Sequence, residues 1–130
     1  MKKYNLIILG SGPGGYVAAI RASQLGLNTA IIEKESLGGI CLNWGCIPTK
    51  ALLKSAQVFN YIKKASDYGL KIKSYEKDFK SIIERSRNIS NSMSDGVKFL
   101  MKKNKIDIIT GHGKVLNEKK VEVENKKKKT

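Results

Sequence analysis

An α/β architecture built on a parallel sheet is predicted by three observations in the first third of the sequence. A short apolar stretch, residues 4–9, runs into a glycine-rich loop. Small and apolar residues then recur at helical spacing, and a second apolar stretch, residues 29–33, completes the unit within about thirty residues. Strand, helix and strand at this spacing form a βαβ unit, whose strands are parallel and whose crossover is right-handed.

Each element follows from its residues. Residues 4–9 read as a fully buried strand of the kind found inside a parallel sheet. Over 14–25, Ala18, Ala19 and Ala22 with Val17, Ile20 and Leu25 give a helix able to pack closely on a sheet, and Gly26 stops it. The second strand, 29–33, ends on Glu33. Residues 34–45, with Gly38 and Gly39, read as a loop. A helix follows, with Pro48 in its first turn and Leu52, Ala56, Phe59 and Ile62 at helical spacing, which puts Cys46 at or near its N-terminus. After a short connection, 67–74, Asp78 is the N-cap of a long amphipathic helix. Its stripe of Phe79, Ile82, Ile83, Ser86, Ile89, Met93, Val97, Leu100 and Met101 is expected to be core, with the methionines as filler. Residues 106–110 form another strand, and 114–124 a hairpin in which Val121 and Val123 alternate.

The 130 residues carry a net charge of +14, with 41% hydrophobic and 28% charged residues, which suits one globular domain. No apolar run approaches the roughly 20 residues that cross a bilayer. Met1-Lys2-Lys3 before residues 6–9 imitates a secretory signal, but glycines cut the apolar run short. A reducing, cytoplasmic setting is therefore expected, where cysteine pairs are more often catalytic or redox-sensing than structural. Cys41 and Cys46 are too few for a disulfide framework, and with His112 as the only histidine they cannot complete a four-ligand zinc or iron–sulfur site. Basic residues concentrate in 63–130 and end in Lys126-Lys127-Lys128-Lys129. Such a surface suggests nucleic acid or an anionic membrane. Lysine, however, outnumbers arginine 22 to 3, and no aromatic residues interleave with it as a stacking groove requires.

Gly10, Gly12 and Gly15 spell G-x-G-x-x-G between a predicted strand and a predicted helix. The first glycine permits a tight turn, the second lets the backbone approach a pyrophosphate, and the third allows close helix–strand contact, while the helix N-terminus supplies amide donors. Glu33 ends the next strand, where a carboxylate accepts hydrogen bonds from ribose hydroxyls and disfavours a 2′-phosphate. FAD and NAD both remain open. Cys41-Leu42-Asn43-Trp44-Gly45-Cys46 sets two thiols five residues apart, with Gly45 allowing a turn that brings them within disulfide range. A helix N-terminus favours the thiolate of Cys46. Two unrelated buried cysteines, or a structural disulfide, are the alternatives. Beside a dinucleotide loop, a reversible dithiol has a use for a flavin, which takes two electrons from a thiolate and passes a hydride to nicotinamide.

The stretch from Gly39-Ile40-Cys41 through Cys46-Ile47-Pro48-Thr49-Lys50, preceded by Gly10-Ser11-Gly12-Pro13-Gly14-Gly15-Tyr16, resembles the FAD-binding N-terminal region of the pyridine nucleotide–disulfide oxidoreductases. Within that family the wording around the cysteines is most similar to its dihydrolipoamide dehydrogenase branch. The resemblance implies a Rossmann-like FAD-binding domain with a parallel sheet, a long helical pair and a β-hairpin. It implies that Gly10, Ser11, Gly12, Pro13, Gly14 and Gly15 hold the FAD pyrophosphate, and that Glu33, with Lys34 beside it, binds the adenosine ribose. Gly38, Gly39, Ile40 and Cys41 would line the cofactor, Lys50 would approach the flavin ring, and the backbone at Gly113 would meet the adenine, leaving His112 a surface or strand residue.

In the implied reaction dihydrolipoamide, carried on lipoyl domains of 2-oxo acid dehydrogenase complexes, attacks a Cys41–Cys46 disulfide at Cys41. The Cys46 thiolate then reduces the flavin, which reduces NAD⁺. Glutathione-type or mercuric-type reductases and a stand-alone nucleotide-binding module are the alternatives. Members of the family are longer, adding an NAD-binding domain and a C-terminal interface domain that forms a homodimer. Residues 1–130 are thus expected to be the N-terminal part of a FAD-binding domain, with those two domains absent, and inactive alone.

Overall fold

The computed structural model of the chain describes residues 2–117 and 119–125; the lysine run 126–129 lies outside them. The elements are β1 (Leu6–Leu9), α1 (Pro13–Gln24), β2 (Thr29–Glu33), α2 (Gly39–Asn43), α3 (Cys46–Lys63), a 3₁₀ turn (Ala65–Tyr68), α4 (Phe79–Lys103), β3 (Asp107–Thr110), β4 (His112–Val115) and β5 (Val121–Glu124). β1, β2 and β3 form a parallel sheet with β2 in the middle, and Ile31 faces Ile8 on one side and Ile108 on the other. β4 and β5 pair as the predicted antiparallel hairpin.

β2 is the strand that carries the core. Residues 29–32 are buried throughout, whereas β1 is half-buried and Leu9 at its end is 45% exposed, contrary to the expectation of a fully buried first strand. Among the described residues β1 pairs only with β2, so one edge stays open. Tyr4, expected to begin β1, stands before it. Tyr4 Oη and Lys2 Nζ donate to Asp107 Oδ2 at 2.6 and 3.1 Å, tying the chain's start to the head of β3. Around Ile31 cluster Ala19 from α1, Leu42 from α2, Val97 and Met101 from α4, and Ile106.

The long helical pair is α3 against α4, joined where Arg85 Nη1 donates to the Ala51 carbonyl at 2.9 Å. α4 starts as predicted, Asp78 Oδ1 accepting from Ser81 N at 3.0 Å. Its stripe is only partly core. Ser86, Ser90, Val97 and Met101 are buried, but Phe79 is 72% and Met93 48% exposed, and Ile83 and Leu100 also reach solvent. The cause is length: 25 residues of helix run about 37 Å, while strands of four or five residues cover about 16 Å, so α4 overhangs the sheet. Small side chains at 86 and 90 suit close approach on the overhang. Met101 is core filler; Met93 is not.

Two further boundaries differ. The predicted loop 34–45 contains α2, a five-residue helix opening at Gly38 in the left-handed region (φ 91°). α3 begins at Cys46, two residues before Pro48, whose missing N–H costs nothing in a first turn. Among the described residues no helix is long and apolar enough to cross a membrane.

Candidate functional site

The carboxyl ends of β1 and β2 open onto a cavity of about 530 Å³, the place where open parallel sheets take ligands. The glycine loop forms one wall. Gly10 N donates to Ile32 O at 2.8 Å, closing the loop over β2, and Gly10 takes φ 91°. A Cβ on Gly15 would lie 2.0 Å from the Gly10 carbonyl oxygen, so the third glycine lets α1 rest on the loop. A Cβ on Gly39 would lie 2.8 Å from Gly12 Cα, so α2 touches the loop through glycine on both sides. A Cβ on Gly12, by contrast, would meet nothing within 4 Å, although Gly12 borders the cavity. No side chain caps the N-terminus of α1, and its first amides lack helical acceptors. Bare backbone, free donors and the positive end of a 12-residue helix suit the pyrophosphate of a dinucleotide.

Glu33 ends β2 on the rim of the same cavity. Its Oε2 accepts from Ser11 N at 2.9 Å and Ser11 Oγ at 2.6 Å, and its Oε1 accepts from Glu35 N at 2.9 Å. Burial raises the carboxyl's pKa, but the hydrogen bonds from Ser11, followed by those from Glu35 and Lys34, outweigh it and hold the group below its ordinary value. The two bonds from Ser11 engage both lone pairs of Oε2, so Oε1 is the less engaged oxygen of the pair. Ser11 itself is fully buried, and Gly38 N donates to its Oγ at 3.2 Å. Ser11 borders the cavity, but its hydroxyl serves Glu33.

The cysteines are brought together by Gly45. A Cβ on Gly45 would lie 3.1 Å from Ile40 O and 3.2 Å from Cys41 Cα, so glycine lets the chain double back closely over α2 and start α3 at Cys46. Both cysteines are free thiols here. The Cys46 sulfur beside it, then desolvation, push the Cys41 thiol up; the nearby charge of Lys50 pulls the other way. Cys41 borders the cavity half-buried, while Cys46 is exposed and lies off its wall.

Of the residues singled out from sequence, Gly10, Ser11, Gly12, Pro13, Glu33, Lys34, Gly39, Ile40, Cys41 and Gly113 converge on this one cavity. Gly14 and Gly15 lie in the first turn of α1 next to that wall, and Gly38 is buried under Leu42 as the N-cap of α2. Lys50 sits one turn along α3 from Cys46, outside the cavity wall. Leu9 and Ile32 also line the cavity, and the rule that ligands sit at strand ends could have found them. Trp44, half-exposed, and the Gly111–His112 corner line it too, but only the folded chain brings them there. His112 is an exposed residue of β4, as expected.

Comparison with known proteins gives a consistent picture. Residues 4–130 match the family described as pyridine nucleotide-disulphide oxidoreductase. The chain is 61% identical over 115 residues to a dihydrolipoyl dehydrogenase of Rhizobium etli, covering 88% of this chain and 24% of that protein. It is 47% identical over 130 residues to a dihydrolipoyl dehydrogenase of Acholeplasma laidlawii, covering 99% of this chain and 39% of that one. Among solved structures it resembles the Cu(II) complex of the HOCl-induced flavoprotein disulfide reductase RclA from Escherichia coli, with a TM-score of 0.79 and 28% identity over 97% of this chain and 25% of that chain. The chain thus spans a quarter to two fifths of the length of these relatives.

Proposed function

Since the chain belongs to the pyridine nucleotide-disulphide oxidoreductase family, we propose that it forms the FAD-binding, cysteine-bearing part of a dithiol–disulfide oxidoreductase of the dihydrolipoyl dehydrogenase type. The observation that carries this reading is the placement of a doubled-back cysteine pair on the edge of a glycine-loop cavity: Gly45 sets Cys46 beside Cys41, and Cys41 lines the cavity with Gly10, Gly12 and Glu33. The relatives' names point to a dihydrolipoyl group as substrate; NAD⁺ as co-substrate, lipoyl domains of 2-oxo acid dehydrogenase complexes as partners and a homodimer are part of the same proposal, from the motif resemblance.

The residues present fit FAD. The amides at the start of α1 and the bare Gly12 would hold its pyrophosphate, Glu33 Oε1, the less engaged carboxylate oxygen, would take a ribose hydroxyl, and the backbone at Gly113 would border the adenine. A Cβ at Gly113 would lie 2.6 Å from Leu9 Cδ2 and 3.2 Å from Ile32 Cγ2, so glycine here lets β4 pack against the strand ends that line the cavity. When bound, FAD supplies the two-electron acceptor that returns the dithiol to the disulfide and passes the electrons to NAD⁺.

The chain's own residues carry the thiol chemistry. With Cys41 and Cys46 joined, a substrate thiolate attacks Cys41 Sγ; the Cys41–Cys46 bond breaks and Cys46 leaves as a thiolate. The N-terminus of α3 favours that negative charge. The second substrate thiolate then attacks the substrate sulfur of the mixed disulfide and expels Cys41, which takes up a proton. The substrate has become a disulfide and the protein a dithiol, two electrons having passed from one to the other. Dihydrolipoamide added to the oxidised protein tests the reading. It should expose two new alkylatable thiols per chain, mapped to Cys41 and Cys46, and C41S or C46S should expose none; a protein in which these two cysteines never link overturns it.

A further inference from the structure

The helix that carries Cys41 is too short to persist unaided: α2 has five residues and no side-chain N-cap, whereas isolated helices need about 12 residues or more to be even marginal. Its last residue supplies what the backbone lacks. Asn43 Nδ2 donates to the Leu37 and Gly39 carbonyls, both at 2.9 Å, bracketing the first turn of α2 from below. Asn43 Oδ1 faces Ser94 Oγ of α4 at 3.0 Å, and that hydroxyl also reaches Leu37 O at 2.9 Å. Arg87 Nη1, likewise on α4, donates to the Asn43 carbonyl at 3.0 Å. With the buried Leu42, these contacts bind α2 to the long helix.

We infer that Asn43, anchored by Ser94, is a positioning residue that holds Cys41 against Cys46 in the reduced protein and so sets the dithiol–disulfide equilibrium of the pair. In the oxidised protein the sulfur–sulfur bond adds a restraint on α2; in the dithiol the clamp and the packing of Leu42 and Gly39 carry it alone. Removing the clamp lets reduced α2 sample conformations with the sulfurs apart, which lowers their effective concentration and disfavours the disulfide. Asn43 touches neither substrate nor reacting sulfur in this role. The inference rests on the redox pair proposed above.

The test equilibrates the protein with glutathione buffers, in which protein dithiol and oxidised glutathione exchange to protein disulfide and two reduced glutathiones, and reads the Cys41–Cys46 linkage by alkylation and mass. Asn43→Ala should shift the equilibrium toward dithiol by about tenfold, equivalent to about 30 mV for this two-electron couple. Ser94→Ala, which deletes one hydroxyl and leaves the Asn43 amide in place, should shift it the same way by a smaller factor and keeps the test decisive if Asn43→Ala does not fold. A merely structural role would lower thermal stability while leaving the equilibrium constant alone. Folded variants with the wild-type constant overturn the inference while sparing the redox pair. A wild-type protein that forms no Cys41–Cys46 disulfide at any glutathione ratio overturns the redox pair, and the inference with it.

Discussion

Gly14 and Gly15 are neighbours in the first turn of α1, yet methylating each should have opposite effects. At Gly15 the new Cβ would sit 2.0 Å from the Gly10 carbonyl oxygen, 3.1 Å from its carbon and 3.5 Å from Ile8 Cγ2. Real Cβ atoms keep at least 3.0 Å, so loop and helix must separate by about 1 Å, and the obstacle is backbone that cannot rotate aside. Overpacking costs about 1–3 kcal/mol, and a backbone clash belongs at the upper end, about 3 kcal/mol. For a domain of this size about 4 °C accompany each kcal/mol, so Gly15→Ala should lower Tm by about 12 °C. At Gly14 a Cβ would meet nothing within 4 Å in a helical conformation, and Ala should stabilise by about 0.5 kcal/mol through the unfolded chain. Urea unfolding of both cofactor-free variants measures the pair. Equal stability of the two, or a Gly15→Ala loss under about 0.5 kcal/mol, would refute the reasoning that the third glycine exists for helix–loop contact.

Gly12→Ala should leave cofactor-free stability within about 0.5 kcal/mol, because its Cβ meets no protein atom, yet weaken FAD binding at least about tenfold, read by flavin fluorescence. Ser11→Ala removes the 2.6 Å bond to Glu33 and should cost about 1 kcal/mol at pH 7, the value for a bond to a charged group discounted for partial exposure. Glu33's folded pKa lies below its unfolded value, so its stabilisation is present above the unfolded carboxylate range and fades as pH falls through the folded value; the gap between wild type and Ser11→Ala in urea titrations should narrow on acidification. Met101→Ala should cost about 2–5 kcal/mol and Met93→Ala under about 0.5, since the first is fully buried in α4 and the second half-exposed.

The βαβ unit was legible because its signals are local. The glycine spacing, the alanines of α1 and the stop at Gly26 all act within a few residues of where they sit, and Cys46 at a helix start followed from Pro48 and the periodicity beyond it. What escaped needed tertiary facts. α2 hides in a glycine-rich stretch because its stability comes from Asn43 and Ser94, the latter 51 residues away. The exposure of Phe79 and Met93 reflects how far α4 outruns the sheet, which periodicity alone does not report. Trp44 reaches the cavity only once α2 docks on the glycine loop, and the Gly111–His112 corner only once β3 pairs with β2. Ser11 reads as a ligand-binding residue in the motif, yet its side chain turns inward to hold Glu33.

Loading the protein with FAD and reducing it with two electron equivalents of dithionite per chain under anaerobic conditions probes the joined site most directly. The Cys41–Cys46 link should open, and both cysteines should take up an alkylating tag together, only when FAD is present. A link left closed while the cofactor is reduced, or a labelling pattern indifferent to FAD, would contradict it.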